Sequence, residues 1–596
     1  MAESNVVVHV THEAAGKIGG IGAVLQGFFT CPSYLEKVSR SILVSPLFAT
    51  DGRPEDRLGP GGEVLYSSID GLINPAYSSA FRRIESLYNV GIVYGRRTFA
   101  DEQTGIRGAA DVVLIDVRYV DSPMLNDFKR RLFEEFGIQS HLYEHLWEYE
   151  QYVRLAPPAI AVLKALGVPD GRTTVIAHEF MGMPTALAAI MEPYCHFNTA
   201  FYAHEVATIR RIVEEHPGHD TMFYNVMKQA HSDHLYVNEV FGNQHTYFKH
   251  TLVEAAKHCD RIYAVGDYVA DELRFLAPEF ETVDIRTVYN GIPAYPISLT
   301  QKRSSRDRLQ RYCENLLGFR PDYVFTHVTR MVRSKGLWRD LLVLSQMEKG
   351  LRDRGKTAVF LLLSTEVARR RSCDVNHMEE TYGWPVAHRE GAPDLSGGES
   401  EFYAAIQQFN ARSRNIKAIF INQFGFDRQS CGRRMPEDME FMDIRRGTDV
   451  EFGQSIYEPF GIAQLEPLTF GGLCVVTNVC GCAGFLQDVT GGRDVRNVVQ
   501  ADYTAMDDCG GADIEDLLQI DRKTRDRIEA AEGARVAREI LDRLPQNDAE
   551  FERMIHDGHR LARNMSWDVV VREYLLNDLL GASNKQPEQQ PSCVHT

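Results

Sequence analysis

Eight short runs of apolar, largely β-branched residues recur along the chain, at 6–10, 112–117, 175–177, 262–265, 324–328, 358–363, 418–421 and 473–477. Helix-period patterns separate them. A continuous apolar run of strand length has no polar face to turn to water, so it reads as a parallel strand buried on both sides. Strands alternating with helices imply α/β architecture with right-handed crossovers. So many strands, in a chain of 596 residues, exceed one comfortable sheet. Two Rossmann-like domains are the economical expectation.

Punctuation places the division. Asn290-Gly291 followed by Pro293 is strong turn chemistry, and a polar stretch at 301–311 precedes the next buried run. The expected organisation is an N-terminal domain over 1–293, a C-terminal domain over 294–565, a helix over 566–582 and a disordered polar tail over 583–596. Ser566 suits the cap of that helix, with Trp567, Val570, Val571, Tyr574 and Leu575 on one face. The segment 371–400 reads as a surface excursion, and 513–552 as solvated helices.

Charge excludes some partners. With 65 basic and 82 acidic residues the net charge is −17 and no basic block occurs, which disfavours nucleic acids and anionic membranes. No run approaches the ~18–20 apolar residues of a membrane span, and the N-terminus lacks a basic secretory region. Eleven cysteines without paired CxxC sets fit free thiols in a reducing cytoplasm. Cys480 and Cys482 read as small loop residues. His216, His219, His231 and His234 form two HxxH spacings but no HExxH, and read as surface histidines rather than a metal site.

Three constellations carry chemistry. Gly16-Lys17-Ile18-Gly19-Gly20-Ile21-Gly22 follows the first strand and precedes a helix, where glycines let backbone approach an anion. Its spacing is neither a dinucleotide fingerprint nor a Walker loop, and a tight turn with a surface lysine is the plain alternative. Arg330-Met-Val-Arg-Ser-Lys335-Gly336 follows the strand at 324–328, the end at which open α/β sheets bind ligands. Its charges suit phosphate, or a solvated basic loop. In Tyr457-Glu458-Pro459-Phe460-Gly461-Ile462-Ala463-Gln464-Leu465-Glu466 two glutamates bracket a helix start. On one continuous helix they would be ~12 Å apart along the axis and touch different parts of an extended ligand. Pro467 conflicts with such a helix, at a cost of ~3 kcal/mol. Two histidines, His178 and His204, end strands in the first half and are candidates for ligand contact.

Taken in order, the glycine loop, AHEF at 177–180, YAHE at 202–205, YNGIP at 289–293, the Arg330–Lys335 loop, the paired-glutamate motif and VTNVCGCAGF at 476–485 resemble the retaining GT-B glycosyltransferases, specifically glycogen and starch synthases. The resemblance covers roughly 5–580. The segment from Phe223-Tyr224-Asn225 to HCDRIYAVGD at 258–267 looks most like fungal and animal glycogen synthases, whereas the arginine–lysine spacing looks bacterial or plant.

The resemblance implies two domains facing across a cleft, with the last helix crossing back to the first. It implies Lys17, Gly19 and Gly20 beside the donor diphosphate, Arg330 and Lys335 on its phosphates, and Phe460, Gly461 and Ile462 on the donor. His204 would lie near the transferred sugar, Glu458 on its hydroxyls, Glu466 at the nucleotide ribose and Glu179 on the acceptor side. Glu458, His204, Arg330 and Lys335 are then the expected catalytic group, with no cofactor and no metal. The implied reaction moves glucose from UDP-glucose or ADP-glucose to the non-reducing end of an α-1,4-glucan, with retention, in a cytoplasmic enzyme whose oligomeric state is open. A small acceptor, or a non-catalytic glucan-binding role, remains the alternative; a glycosidase would leave the basic pair unexplained. Gly266 stands where relatives often carry serine. Cysteines occupy the 478–484 loop. Arg522, Lys523, Arg525 and Arg527 are interleaved with acids and match no regulatory arginine cluster.

Overall fold

The computed structural model describes residues 5–16, 19–367, 369–389, 391, 393–506 and 513–581. Lys17, residue 582 and the tail at 583–596 lie outside the described residues.

Two sheets organise the chain. The first contains β1 (Val6–Val10), β2 (Arg40–Pro46), β3 (Gly62–Ser67), β4 (Gly91–Ala100), β5 (Arg107–Asp116), β6 (Thr173–His178), β7 (Asn198–Ala203), β8 (Arg261–Ala264) and β9 (Ile285–Thr287). Its order is β3-β4-β5-β2-β1-β6-β7-β8-β9. The second contains β10 (Tyr323–Val328), β11 (Ala358–Leu363), β12 (Ile416–Ile421), β13 (Val450–Gly453), β14 (Leu473–Thr477) and β15 (Val498–Ala501), in the order β12-β11-β10-β13-β14-β15. All eight apolar runs are strands. Central β1, all five residues buried, pairs in parallel with β2 (Val8 opposite Ile42) and β6 (Val8 opposite Val175).

The expectation of uniformly parallel strands fails at one edge. The run at 112–117 pairs in parallel with β2 but antiparallel with β4, which pairs antiparallel with β3. Sequence reading passed over β2, β3, β4, β9, β13 and β15. Alternating burial hides the outer half of β4, and β13 is a four-residue strand carrying the buried Glu451.

Two expected surface regions are structural. Residues 371–400 include the helix Ser372–Tyr382 and the start of the helix Gly397–Arg412. Between them Trp384 is fully buried and its indole N–H donates to Asn422 at 2.8 Å. Within 513–552 the helix Arg522–Arg543 buries Val536, Ala537, Ile540 and Leu541 beside the helix Leu337–Asp353, so it is only half solvated. Its charges conceal a sparse apolar stripe. His219 is likewise buried, bonded to the Val213 carbonyl at 2.7 Å, and is not a surface histidine.

The chain end returns to the first sheet. Ser566 caps the final helix, whose middle is a π turn at Val570–Leu575. Tyr263 donates to Asp578 at 2.8 Å, Arg286 pairs with Asp578 at 2.7 Å, and Ser33 donates to Asp568 at 2.6 Å. The outgoing and returning chains run together, with the Ile292 N–H on the Met565 carbonyl at 3.0 Å. One apolar cluster extends from the first sheet through Tyr457, Phe460, Cys480 and Phe485 to Leu575. Tyr289 stacks on Phe485 with centroids 4.3 Å apart, so the halves share a core.

Candidate active site

The candidate residues sit at the carboxyl ends of parallel strands, where the ladder stops and side chains are free to face a ligand. β6 ends at His178, β7 is followed by His204, β10 by the Arg330–Lys335 loop, and β13 by residues 454–461.

Glu179 begins the helix Glu179–Ile190 with φ +62°, a left-handed conformation uncommon outside glycine. The strain has a visible use. Its Oε1 accepts the backbone N–H groups of His204 and of Glu205, the latter at 2.6 Å, and so holds the turn after β7. Its Oε2 is buried without a hydrogen bond among the described residues, and burial, reinforced by Glu205, pushes its pKa well above the carboxylate range. Glu179 thus supports His204 directly.

His204 ends a buried chain of aromatic hydrogen bonds. Its Nε2 lies 2.8 Å from His178 Nδ1, His178 Nε2 lies 2.9 Å from His9 Nδ1, and His9 Nε2 lies 2.9 Å from the Tyr34 hydroxyl, itself 3.2 Å from Ser41. Burial lowers the pKa of His9 and of His204 to about 3, and holds His178 well below the ordinary value. All three rings are therefore neutral near pH 7. Each neutral ring carries one N–H, so the chain must point one way throughout, and the His204 tautomer is tied to that of His9. His178, expected as a ligand contact, is fully buried and acts within this chain instead.

On the facing half, Lys335 is nine-tenths buried and its ammonium is ion-paired with Glu458, which also accepts from Gln464 at 3.2 Å. Arg330 is exposed and forms no ion pair among the described residues. Its charge helps lower the pKa of His12, after the larger effect of burial, so the basic loop lies near the start of the first domain. Glu466 is not free: it pairs with the buried Arg445 at 3.0 Å, and Arg445 also holds Glu451 at 3.1 Å.

The two glutamates do not share one helix. Gly461 has φ +88°, the helix Ile462–Leu465 is a single turn, and Glu466–Phe470 continues as a 3₁₀ segment with Pro467 near its start. That break accommodates the proline, whose missing N–H is harmless there. Phe460 is buried, and its carbonyl accepts from the Cys482 N–H at 3.0 Å and Cys480 Sγ at 2.8 Å, while Gly461 and Ile462 are half-buried. Cys480 and Cys482, with sulfurs 3.0 Å apart, form the wall behind this turn.

The glycine loop holds a surprise. The N–H groups of Gly19 and Gly22 donate to Glu13 Oε2 at 2.7 and 3.0 Å. A protein carboxylate therefore occupies the start of the helix Gly20–Phe29, where an anionic ligand was expected. Gly20 has open space where a side chain would begin.

A cross-domain bond brings the halves together. The Tyr457 hydroxyl accepts the Val206 N–H at 2.8 Å and donates to Glu272 at 3.1 Å. Tyr457, which precedes Glu458, and Val206, two residues after His204, are thereby pinned to each other. Sequence reading missed His9, His12, Glu13, Tyr34, Glu272, Arg445 and the role of Tyr457. The detectable signals were polar residues inside apolar strand runs: His9 in VVVHV and Glu451 in VEFG.

An α,α-trehalose-phosphate synthase (UDP-forming) from Burkholderia vietnamiensis matches with a TM-score of 0.50 and 13% identity, over 98% of this chain and 99% of its own. The chain has the GT-B fold. A sucrose-phosphate synthase from Thermosynechococcus elongatus matches at 0.48 and 11% identity over 95% and 96% of the two chains. The catalytic domain of starch synthase IV from Arabidopsis thaliana, bound to ADP and acarbose, matches at 0.46 and 13% over 94% and 100%. No protein-family model matches the sequence, and no curated protein does. In this GT-B chain, β1–β9 form the first sheet and β10–β15 the second, with the candidate residues at the ends that face each other through Tyr457. Among the described residues no helix is long and apolar enough to cross a membrane, and every cysteine is unpaired.

Proposed function

We propose that this GT-B protein is a retaining glucosyltransferase that moves glucose from UDP-glucose or ADP-glucose to the non-reducing end of an α-1,4-glucan. The observation that carries the reading is the Tyr457–Val206 bond, which joins the Lys335–Glu458 pair to the His204 turn across the domain boundary.

The chemistry follows from charge. As the bond from glucose C1 to the diphosphate breaks, negative charge grows on phosphate and the sugar becomes oxocarbenium-like. Arg330, which has no ion pair among the described residues, and Lys335, shared with Glu458, supply preorganised positive charge to that leaving group. Glu458 accepts sugar hydroxyls, and Glu466, steadied by Arg445, reaches the ribose. Phe460, Gly461 and Ile462 shape the donor pocket. The neutral His204 ring is oriented by His178 and binds a sugar hydroxyl without adding charge. Glu179 acts on the acceptor side through the turn it holds. The acceptor hydroxyl attacks C1 on the face the diphosphate leaves, and its proton passes to the departing phosphate oxygen. Because Glu13 engages Gly19 and Gly22, the glycine loop contributes through its shape and Lys17 rather than those N–H groups. The unpaired cysteines are consistent with a cytoplasmic setting.

The test is nucleotide release from each donor, with and without glycogen, by the parent and by Lys335→Ala and Glu458→Gln. Glycogen-dependent release from one donor, reduced about 100-fold or more in either variant, is expected. Release with a sugar phosphate but not with glycogen would replace the glucan by a small acceptor. Full activity in folded Lys335→Ala would remove the phosphate assignment.

A further inference from the structure

A second cluster lies on the first domain, apart from these residues. His250 and Glu254 occupy the helix Phe248–Glu254, one turn apart and so on one face, and His245 precedes it in the loop from the helix Val237–Val240. One ligand atom from each of the three lies within 4.8 Å of the others.

The hydrogen bonds around the cluster set which atoms face inward. His245 Nδ1 lies 3.0 Å from Asn243 Oδ1, which can only accept, so that nitrogen carries the hydrogen. His245 Nε2 then faces Glu254 Oε2, 2.8 Å away. Two acceptors at that distance need a cation between them, a proton or a metal. His250 Nδ1 is bonded to Thr208 at 3.1 Å, while its Nε2, on a fully buried ring, has no hydrogen-bond partner among the described residues and lies 3.8 Å from the same Glu254 oxygen.

We propose that His245 Nε2, His250 Nε2 and Glu254 bind a divalent transition-metal cation of the zinc class. Two imidazoles and one carboxylate form a nitrogen–oxygen donor set suited to zinc, with a fourth position open on the side of the half-exposed His245. In a tetrahedral zinc site with bonds of ~2.0–2.1 Å, neighbouring donors are ~3.3 Å apart. The separations of 2.8 and 3.8 Å straddle that value. Asn243 and Thr208 hold the outer nitrogens of the rings, as the second layer of a metal site does. Thr208 belongs to the helix Ala207–Glu215, so the metal would tie the 241–247 loop to the helix that follows the His204 turn. Lys257, 3.1 Å from Glu254 Oε1, binds the other carboxylate oxygen and leaves Oε2 to the metal.

The full-length protein, freed of metal by a chelator, is titrated with Zn²⁺ against a chromophoric competitor and separately with Co²⁺ by absorption spectroscopy. One equivalent should bind with a tetrahedral nitrogen–oxygen cobalt spectrum, and Zn²⁺ should raise Tm. His245→Ala and Glu254→Gln, at partly exposed positions, should fold and lose at least about tenfold in affinity, together with the Tm shift. No stoichiometric binding would mean that a proton alone bridges His245 and Glu254, and would overturn the site. So would affinity unchanged in both variants, or a cobalt–thiolate charge-transfer band assigning the metal to cysteines.

Discussion

Asp220→Asn tests whether the two halves are held together by a buried charge cluster. Arg339, from the C-terminal half, donates to Asp220 at 2.7 and 2.9 Å and to Glu529 at 2.8 Å, and all three side chains are almost fully buried. Asparagine keeps one acceptor oxygen but turns an N–H₂ toward the second guanidinium nitrogen. One charge-assisted hydrogen bond, worth about 1.5–3 kcal/mol, is lost and a donor–donor contact replaces it. Breaking a buried ion pair outright costs about 3–5 kcal/mol, and Glu529 still compensates part of the arginine charge, so about 2–4 kcal/mol is expected. Urea unfolding followed by tryptophan fluorescence measures it, since the Trp338 indole N–H contacts Glu529 at 3.0 Å and reports on the cluster. A double-mutant cycle with Arg339→Met should give a coupling of about 2 kcal/mol or more, little affected by salt because the pair is buried. A loss for Asp220→Asn below about 0.5 kcal/mol, with no coupling to Arg339, would refute the argument.

Glu272, buried between Tyr224 and Tyr457 at 2.9 and 3.1 Å, has its pKa pushed by burial from 4.5 up to about 8. The folded protein therefore holds a proton that the unfolded chain has released, and this group's contribution falls as pH rises, by about 1.4 kcal/mol per unit between about pH 5 and pH 8. Glu272→Gln should flatten that part of the stability–pH curve, and an unchanged slope would show that the carboxyl is ionised in the fold. At Gly266 a Cβ would meet Gly481 Cα and the Pro459 carbonyl at 2.7 Å, backbone of the other half that cannot yield. Gly266→Ser should cost about 1–3 kcal/mol and open the domain contact, seen as a lower Tm and a larger radius of gyration in solution scattering; parent-like values of both would mean that the halves do not meet there.

The central strand positions were legible because burial on both faces forces apolar runs, as in AVFLLL. The paired-glutamate motif and the basic loop were legible as candidates because charged residues gathered beside glycine and proline turns stand out from the apolar strand runs before them. The antiparallel edge was not, since β4 alternates like a half-exposed strand and its partners are set by contacts distant in sequence. Gly266 looked like a departure from a serine pattern; its reason is a close approach from residues more than 190 positions away.

The sequence by itself determined the α/β alternation and the residue types at the strand ends, because each depends on local periodicity or turn chemistry. Only the tertiary structure decided that Glu13 fills the glycine loop, that His9 and His178 stand behind His204, that Arg445 holds Glu466, and that His245 and His250 converge on Glu254. Hydrogen-bond satisfaction inside a core is a pairwise property of groups that folding brings together, and no local pattern records which partner will arrive.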